Sequence, residues 1–180
     1  MKPLILIDVD GVLNPDFSAK TRKHLVWHKG WVIVHADVDG YTYRLTLNPE
    51  HGDWLKTLAA ETGAELAWGS TWENYANTHI GPVLGLPELP WAPAPRGSKA
   101  HGVIPWTQGR PFVWFDDDPL VKRDCSGVDQ PHLIVEVDER AGLTQAHVEQ
   151  ARDWLKARDW TLLGCTPPDS GSVPKYFNCP

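Results

Sequence analysis

The sequence predicts an α/β fold built on a doubly wound, Rossmann-like parallel sheet. Three observations carry that expectation. Residues 4–7, 64–68, 112–115 and 133–137 are short apolar runs without alternation, as strands buried on both faces require. Amphipathic stretches of helical period lie between some of them. Polar residues then follow three of the runs, where an open α/β sheet places its ligands.

Taken in chain order, LILI at 4–7 is the first strand and ends in Asp8-Val-Asp10-Gly11. Residues 23–47 read as small antiparallel strands, LVWH, WVIVHAD and YTYRLTL, with Asp39-Gly40 as a turn between the last two. Residues 14–47 are therefore expected to form a small β-rich flap, or cap insert, after the first strand. Residues 49–62 place Trp54, Leu55, Leu58 and Ala59 on one helical face, with Asn48 as N-cap and Pro49 at the first helical position. Five prolines between Gly81 and Gly97 forbid a regular helix and predict a loop or lid over the sheet edge. Residues 144–158 form a last amphipathic helix, with Ala146, Val148, Ala151, Trp154 and Leu155 as its apolar face and Thr144 as its cap.

The chain has 180 residues, 42% of them apolar and 22% charged, which suits one globular domain (residues 1–160) and a turn-rich tail (161–180). A net charge of −6 weighs against binding nucleic acid by bulk electrostatics, though not against a local basic groove. The N-terminal apolar run is too short for a signal-peptide core, and no stretch reaches the ~20 apolar residues of a membrane span. Three scattered cysteines, Cys125, Cys165 and Cys179, follow no metal-ligand spacing and suit reduced thiols in a cytoplasmic protein. No membrane contact and no obligate protein partner is called for. The unusual number is ten tryptophans.

The chemistry concentrates at the strand ends. Asp8 and Asp10 follow the first run, Ser70 and Thr71 the second, and Asp116, Asp117 and Asp118 the third, with Lys99 between the last two groups. So many carboxylates on one rim repel one another unless a cation sits among them. Hard oxygen donors of this kind select Mg²⁺, which is commonly held by one or two carboxylates together with phosphate oxygens.

ILIDVDGVLN, the Ser70-Thr71 pair, Lys99 and VWFDDD resemble, in chain order, the four motifs of the haloacid dehalogenase-like (HAD) phosphohydrolases. WGSTW, VWFDDD and GLTQAHVEQARDWL look like the HAD domain of Swiss-army-knife RNA repair proteins and its actinobacterial and phage relatives. The resemblance implies that Asp8 is a nucleophile forming an aspartyl-phosphate and that Asp10 is the general acid and base. Two residues along an extended chain return to the same side, and Gly11 allows the sharp turn beyond them. Ser70 would bind a phosphoryl oxygen, with Thr71 as the alternative hydroxyl. Lys99 would neutralise the phosphate, Lys122 or Arg96 being the alternatives. Mg²⁺ would be held by Asp8, the Asp10 carbonyl, Asp116 and Asp117.

An EF-hand would need Glu at the twelfth position of a loop starting at Asp8, where Ala19 stands. The second copy of the first motif, Asp37-Val-Asp39-Gly40, runs into an alternating strand and reads as a hairpin turn. A receiver domain would place its lysine after its acidic clusters, not before the second. Asp118, ahead of Pro119, reads as a helix cap, and His101 as a surface residue. Trp68, Trp114 and Trp154 suit the core. Trp72, Trp91 and Trp106 lie near the rim, to stack on a base or to pack. The implied substrate is a phosphorylated one, with a nucleotide or nucleic-acid terminal phosphate favoured. A phosphoprotein phosphatase and a non-catalytic binding module of the same fold are the rivals.

Overall fold

The computed structural model describes residues 1–158 and 160. The expected tail and two of the cysteines, Cys165 and Cys179, lie outside the described residues. The four apolar runs form one parallel sheet: β1 (Leu4–Ile7), β4 (Glu65–Trp68), β5 (Phe112–Asp116) and β6 (His132–Glu136), in the order β4-β1-β5-β6. All four residues of β1 are buried, because both neighbours and both faces cover it. Successive side chains on a strand face opposite ways, so the sheet splits the core in two. Ile5 and Ile7 join one apolar cluster with α2 (Glu50–Thr62) and α6 (Gln145–Lys156), while Leu4 and Leu6 join the other with α4 (Lys99–Trp106) and α5 (Pro119–Cys125). Helices on both faces make the sheet doubly wound, as expected.

The helix ends are built from the anticipated caps. Asn48 Oδ1 accepts the Glu50 N–H at 3.1 Å, behind a Pro49 already in helical dihedrals. Thr144 and His147 satisfy each other's backbone donors at the start of α6. Leu55 and Leu58, and on α6 Val148, Ala151 and Leu155, are buried; Ala146 is exposed and Trp154 half-buried. Asp118 Oδ1 accepts the Leu120 N–H and starts α5. Cys125 is a buried free thiol, which burial pushes up to about 11. No helix among the described residues is long and apolar enough to cross a membrane.

The segment after β1 is only partly the flap expected. Residues 32–47 form an antiparallel hairpin, β2 (Val32–Val38) and β3 (Tyr41–Leu47), closed by Asp39 and Gly40 at φ 51° and 83°. Positive φ at both positions is the turn that matches strand twist. LVWH, however, is not a strand: it ends α1 (Ala19–His28). Ser18 Oγ caps this helix at Thr21 N, and Lys23 Nζ lies 4.4 Å from the Trp27 ring one turn on. Capping and that i,i+4 pair outweigh the β preference of four residues.

The proline-rich segment between α3 (Tyr75–His79) and α4 has no helix and runs along the outer edge of β4. Trp68 donates its N–H to Pro90 O and accepts at its own O from Ala92 N, both at 2.9 Å. Asn77 secures the segment, with Nδ2 donating to Leu89 O at 2.8 Å and Oδ1 accepting from Leu89 N at 2.9 Å and from Trp68 Nε1 at 2.8 Å.

Candidate active site

Each strand end delivers its polar residues to one rim. Asp8 follows β1 directly and is only 4% exposed; its Oδ1 accepts the Val9 N–H at 2.8 Å. Lys99, the first residue of α4, reaches across to it. Its Nζ lies 2.6 Å from Asp8 Oδ2 and 2.8 and 2.7 Å from the two oxygens of Asp116, the last residue of β5. Only the first Asp116 oxygen is aligned as an acceptor, so the buried Oδ2 touches the ammonium without receiving a hydrogen bond. Lys122, by contrast, is exposed and paired with Glu136 at 2.6 Å.

Asp117 is half-buried next to Asp116, and Gly11 makes its place. Gly11 has φ +75°, and a Cβ there would come 2.2 Å from Asp117 Cγ, so conformation and space both demand glycine. One oxygen each of Asp8, Asp116 and Asp117 lies within 4.8 Å of the others. Three carboxylates face a single ammonium, and one buried carboxylate oxygen accepts no hydrogen bond. That donor set, all hard oxygen and incompletely neutralised, fits a divalent cation.

The electrostatics agree. Burial raises the Asp8 carboxyl, and Lys99 opposes the shift. Asp116 is pushed up to about 8, first by burial and then by the Asp8 charge, and Asp117 to about 6 for the same two reasons. Burial would lower the Lys99 ammonium, but Asp8 and Asp116 outweigh it and hold it charged. A carboxyl raised on folding stabilises the fold while protonated and loses that contribution as pH climbs through its folded value. Stability in a chelator is therefore expected to decline between about pH 4 and pH 8, at up to about 1.4 kcal/mol per pH unit per group. A saturating divalent cation should flatten the slope and add about 2.7 kcal/mol at 100 times its Kd. Thermal denaturation at several pH values with and without the cation checks this; a flat profile in chelator would refute it.

Asp10 stands apart from the cluster. It is exposed, and each of its oxygens accepts one donor: Oδ1 from Asn14 Nδ2 at 2.9 Å and Oδ2 from Trp72 Nε1 at 2.8 Å. Asn14 also accepts the Thr46 N–H of β3 at 2.8 Å, Tyr43 of β3 meets Trp72 edge-to-face at 5.4 Å, and Tyr75 donates to Asp39 at the hairpin tip at 2.7 Å. The hairpin is thus tied to the rim along its length.

Trp72 therefore offers no open face for stacking: it is 7% exposed, and its indole N–H is spent on Asp10. Trp91 is exposed along the β4 edge, and Trp106 packs against the second core cluster. Ser70 is fully buried; its Oγ accepts the Trp72 N–H and lies against Asp8, lowering its carboxyl. Thr71 is exposed and lines the cleft. His101 is on the surface, as expected.

Asp8, Asp10, Gly11, Thr71, Lys99 and Asp117 line one cleft of about 740 Å³, which Arg22 of α1, Arg44 of β3 and Arg96 also border. Asn14, Arg22 and Arg44 were not anticipated as site residues. No local pattern marks the arginines, and only Asn14, four residues past Asp10 in a turn, sits close enough in sequence to have been suspected. A buried carboxylate held by an ammonium, a second carboxylate two residues on in a separate environment, and an oxygen cage beside them can together support phosphoryl transfer.

A search of curated proteins returned no match. Residues 4–148 match the family described as the HAD domain in Swiss Army Knife RNA repair proteins. That span covers β1 to the start of α6 and every rim residue named above, so the chain belongs to this family of HAD-type hydrolase domains.

Proposed function

We propose that the protein is a Mg²⁺-dependent phosphomonoesterase that works through an aspartyl-phosphate on Asp8. The observation that carries this reading is the division of labour between two neighbouring carboxylates. Asp8 is buried against Lys99, while Asp10 is held apart from the cluster by Asn14 and Trp72. An Asp8 oxygen attacks phosphorus, and the bond to the leaving oxygen breaks as that oxygen takes a proton from Asp10. Water then attacks the phosphorus of the aspartyl-phosphate, Asp10 takes its proton, and phosphate departs with Asp8 restored. Lys99 balances the Asp8 charge; Thr71, open to the cleft, meets a phosphoryl oxygen, and Ser70 steadies Asp8 from below. Asp8, Asp116, Asp117 and the Asp10 carbonyl would hold Mg²⁺, which would offset the repulsion between nucleophile and phosphate.

A nucleotide or nucleic-acid terminal phosphate is the favoured substrate, supported by the RNA-repair setting of the matched family. A cytoplasmic location suits the free thiol of Cys125. The test is release of phosphate from an aryl phosphate with Mg²⁺, followed by a panel of 3′- and 5′-phosphorylated oligonucleotides, mononucleotides and phosphopeptides. No release with any divalent cation would overturn the enzyme reading in favour of a binding module. Preference for phosphopeptides would overturn the substrate.

Trp72→Phe isolates the orienting bond, since phenylalanine keeps the packing on Tyr43 and removes the indole N–H. A hydrogen bond to a charged group is worth about 1.5–3 kcal/mol, so kcat/KM, which reports formation of the aspartyl-phosphate, is expected to drop about 10- to 100-fold with an alkyl phosphate. With p-nitrophenyl phosphate, whose leaving group needs no proton, the drop should be much smaller. Equal losses on both substrates would count against Asp10 as the acid.

A further inference from the structure

We propose that the cleft grips a second phosphate of its substrate, beyond the one hydrolysed, through Arg22, Arg44 and Arg96. This rests on the phosphomonoesterase reading and narrows its substrate class. The chain has eight arginines, and they divide cleanly. Arg110 pairs with Glu65, Arg123 with Asp124, Arg140 with Glu139 and Arg152 with Glu61 and Glu149, while Arg158 lies over Trp154 and Trp160. The other three all border the cleft, and their side chains make no ion pair or hydrogen bond among the described residues. Arg22 Nε is buried there without an acceptor, an arrangement that a bound anion relieves.

The cleft has its own carboxylates, yet none takes these arginines. Asp10 is occupied by Asn14 and Trp72, Asp118 caps α5, Glu139 faces Arg140, and Asp16 and Asp117, which also line the cleft, make no ion pair with the three arginines. Lys99 is committed to Asp8 and Asp116 at the scissile position, so the three arginines are the cations of the cleft left without an ion pair among the described residues. Three planar forks from three separate elements exceed what a simple monophosphate needs. They suit a second phosphate, which guanidinium binds in bidentate fashion. A nucleoside bisphosphate and an oligonucleotide end both carry that chemistry.

The test is calorimetric binding with Mg²⁺ to the full chain carrying Asp8→Asn, which leaves the ligands unhydrolysed. Adenosine 3′,5′-bisphosphate is expected to bind at least about 10-fold more tightly than adenosine 5′-monophosphate. Because Arg22 is half-buried, Arg44→Ala and Arg96→Ala, both exposed, carry the comparison. Each should cut the preference about 3- to 10-fold. Equal affinity for the two ligands, or a preference unchanged in both variants, would overturn the proposal. A 5′-phosphorylated trinucleotide binding more tightly still would identify an oligonucleotide end as the source, and weaker binding a free bisphosphate. Aryl phosphate turnover by the unmodified chain is measured separately. Its absence would sink the phosphatase reading and leave the binding preference to stand or fall alone.

Discussion

Asp8→Asn is expected to reduce kcat on an aryl phosphate by on the order of 10⁴-fold or more, the scale seen when an enzyme loses its nucleophile. The asparagine keeps the shape, but its single acceptor oxygen serves either Val9 N–H or Lys99 and not both, and it has no anionic oxygen to attack phosphorus. Stability should not suffer in step. The Asp8 charge is one of the causes that raise Asp116 and Asp117, so removing it eases the burial of both while Lys99 keeps Asp116 as its partner. The expected result is therefore a chain whose unfolding temperature changes little, as eased repulsion and the lost acceptor offset each other, and that no longer turns over. Retention of full activity would remove Asp8 from the mechanism.

Lys99→Met acts the other way round. It strips the ammonium from between Asp8 and Asp116, both almost wholly buried, and leaves two carboxylates facing each other with Asp117 beside them. Breaking a buried pair by deleting one partner costs about 3–5 kcal/mol. The loss should be greater at pH 8 than at pH 5, because at lower pH the carboxyls, already raised by burial, escape by taking protons. Denaturant unfolding at the two pH values measures this directly. A loss below about 1 kcal/mol, or one independent of pH, would show that the ammonium is not what balances the cluster. Activity should disappear along with stability, but the pH dependence of unfolding is the reading that isolates the charge.

How much of this could be read from the residues alone depends on whether the determining interaction is local. The four strands were legible because burial on both faces forces unbroken apolar runs, and a strand's end is where such a run stops. The rim carboxylates and Lys99 followed from those ends. Residues 25–28 were misleading because LVWH looks like a strand until the Ser18 cap and the Lys23–Trp27 pair are seen to make it the last turn of a helix. The tryptophan surplus was visible as a count, but a count carries no direction. In the fold, the indole N–H of Trp68 points to Asn77, that of Trp114 to the Gly69 carbonyl and that of Trp72 to Asp10. These three thus donate to groups outside their own elements, and one of them orients a rim carboxylate. Ser70 and Thr71 could not be separated in the sequence, because a one-residue step across the rim decides which hydroxyl is buried and which faces the cleft. The arginines of the cleft were hardest to foresee: they come from a helix, a hairpin and a loop that only the tertiary fold brings together.

The proline-rich segment has a meaning beyond its neighbourhood to the cleft. An outermost strand normally presents unpaired backbone groups, a template on which another chain can add itself. Here Pro90 and Ala92 take up the Trp68 backbone groups on that side, and Asn77 pins the cover in place. Prolines lack the N–H with which to extend a ladder, so the cover cannot itself become a further strand for a stranger to join. A sequence feature that first reads as a failure to form secondary structure thus closes the outer edge of β4 at its last residue, Trp68.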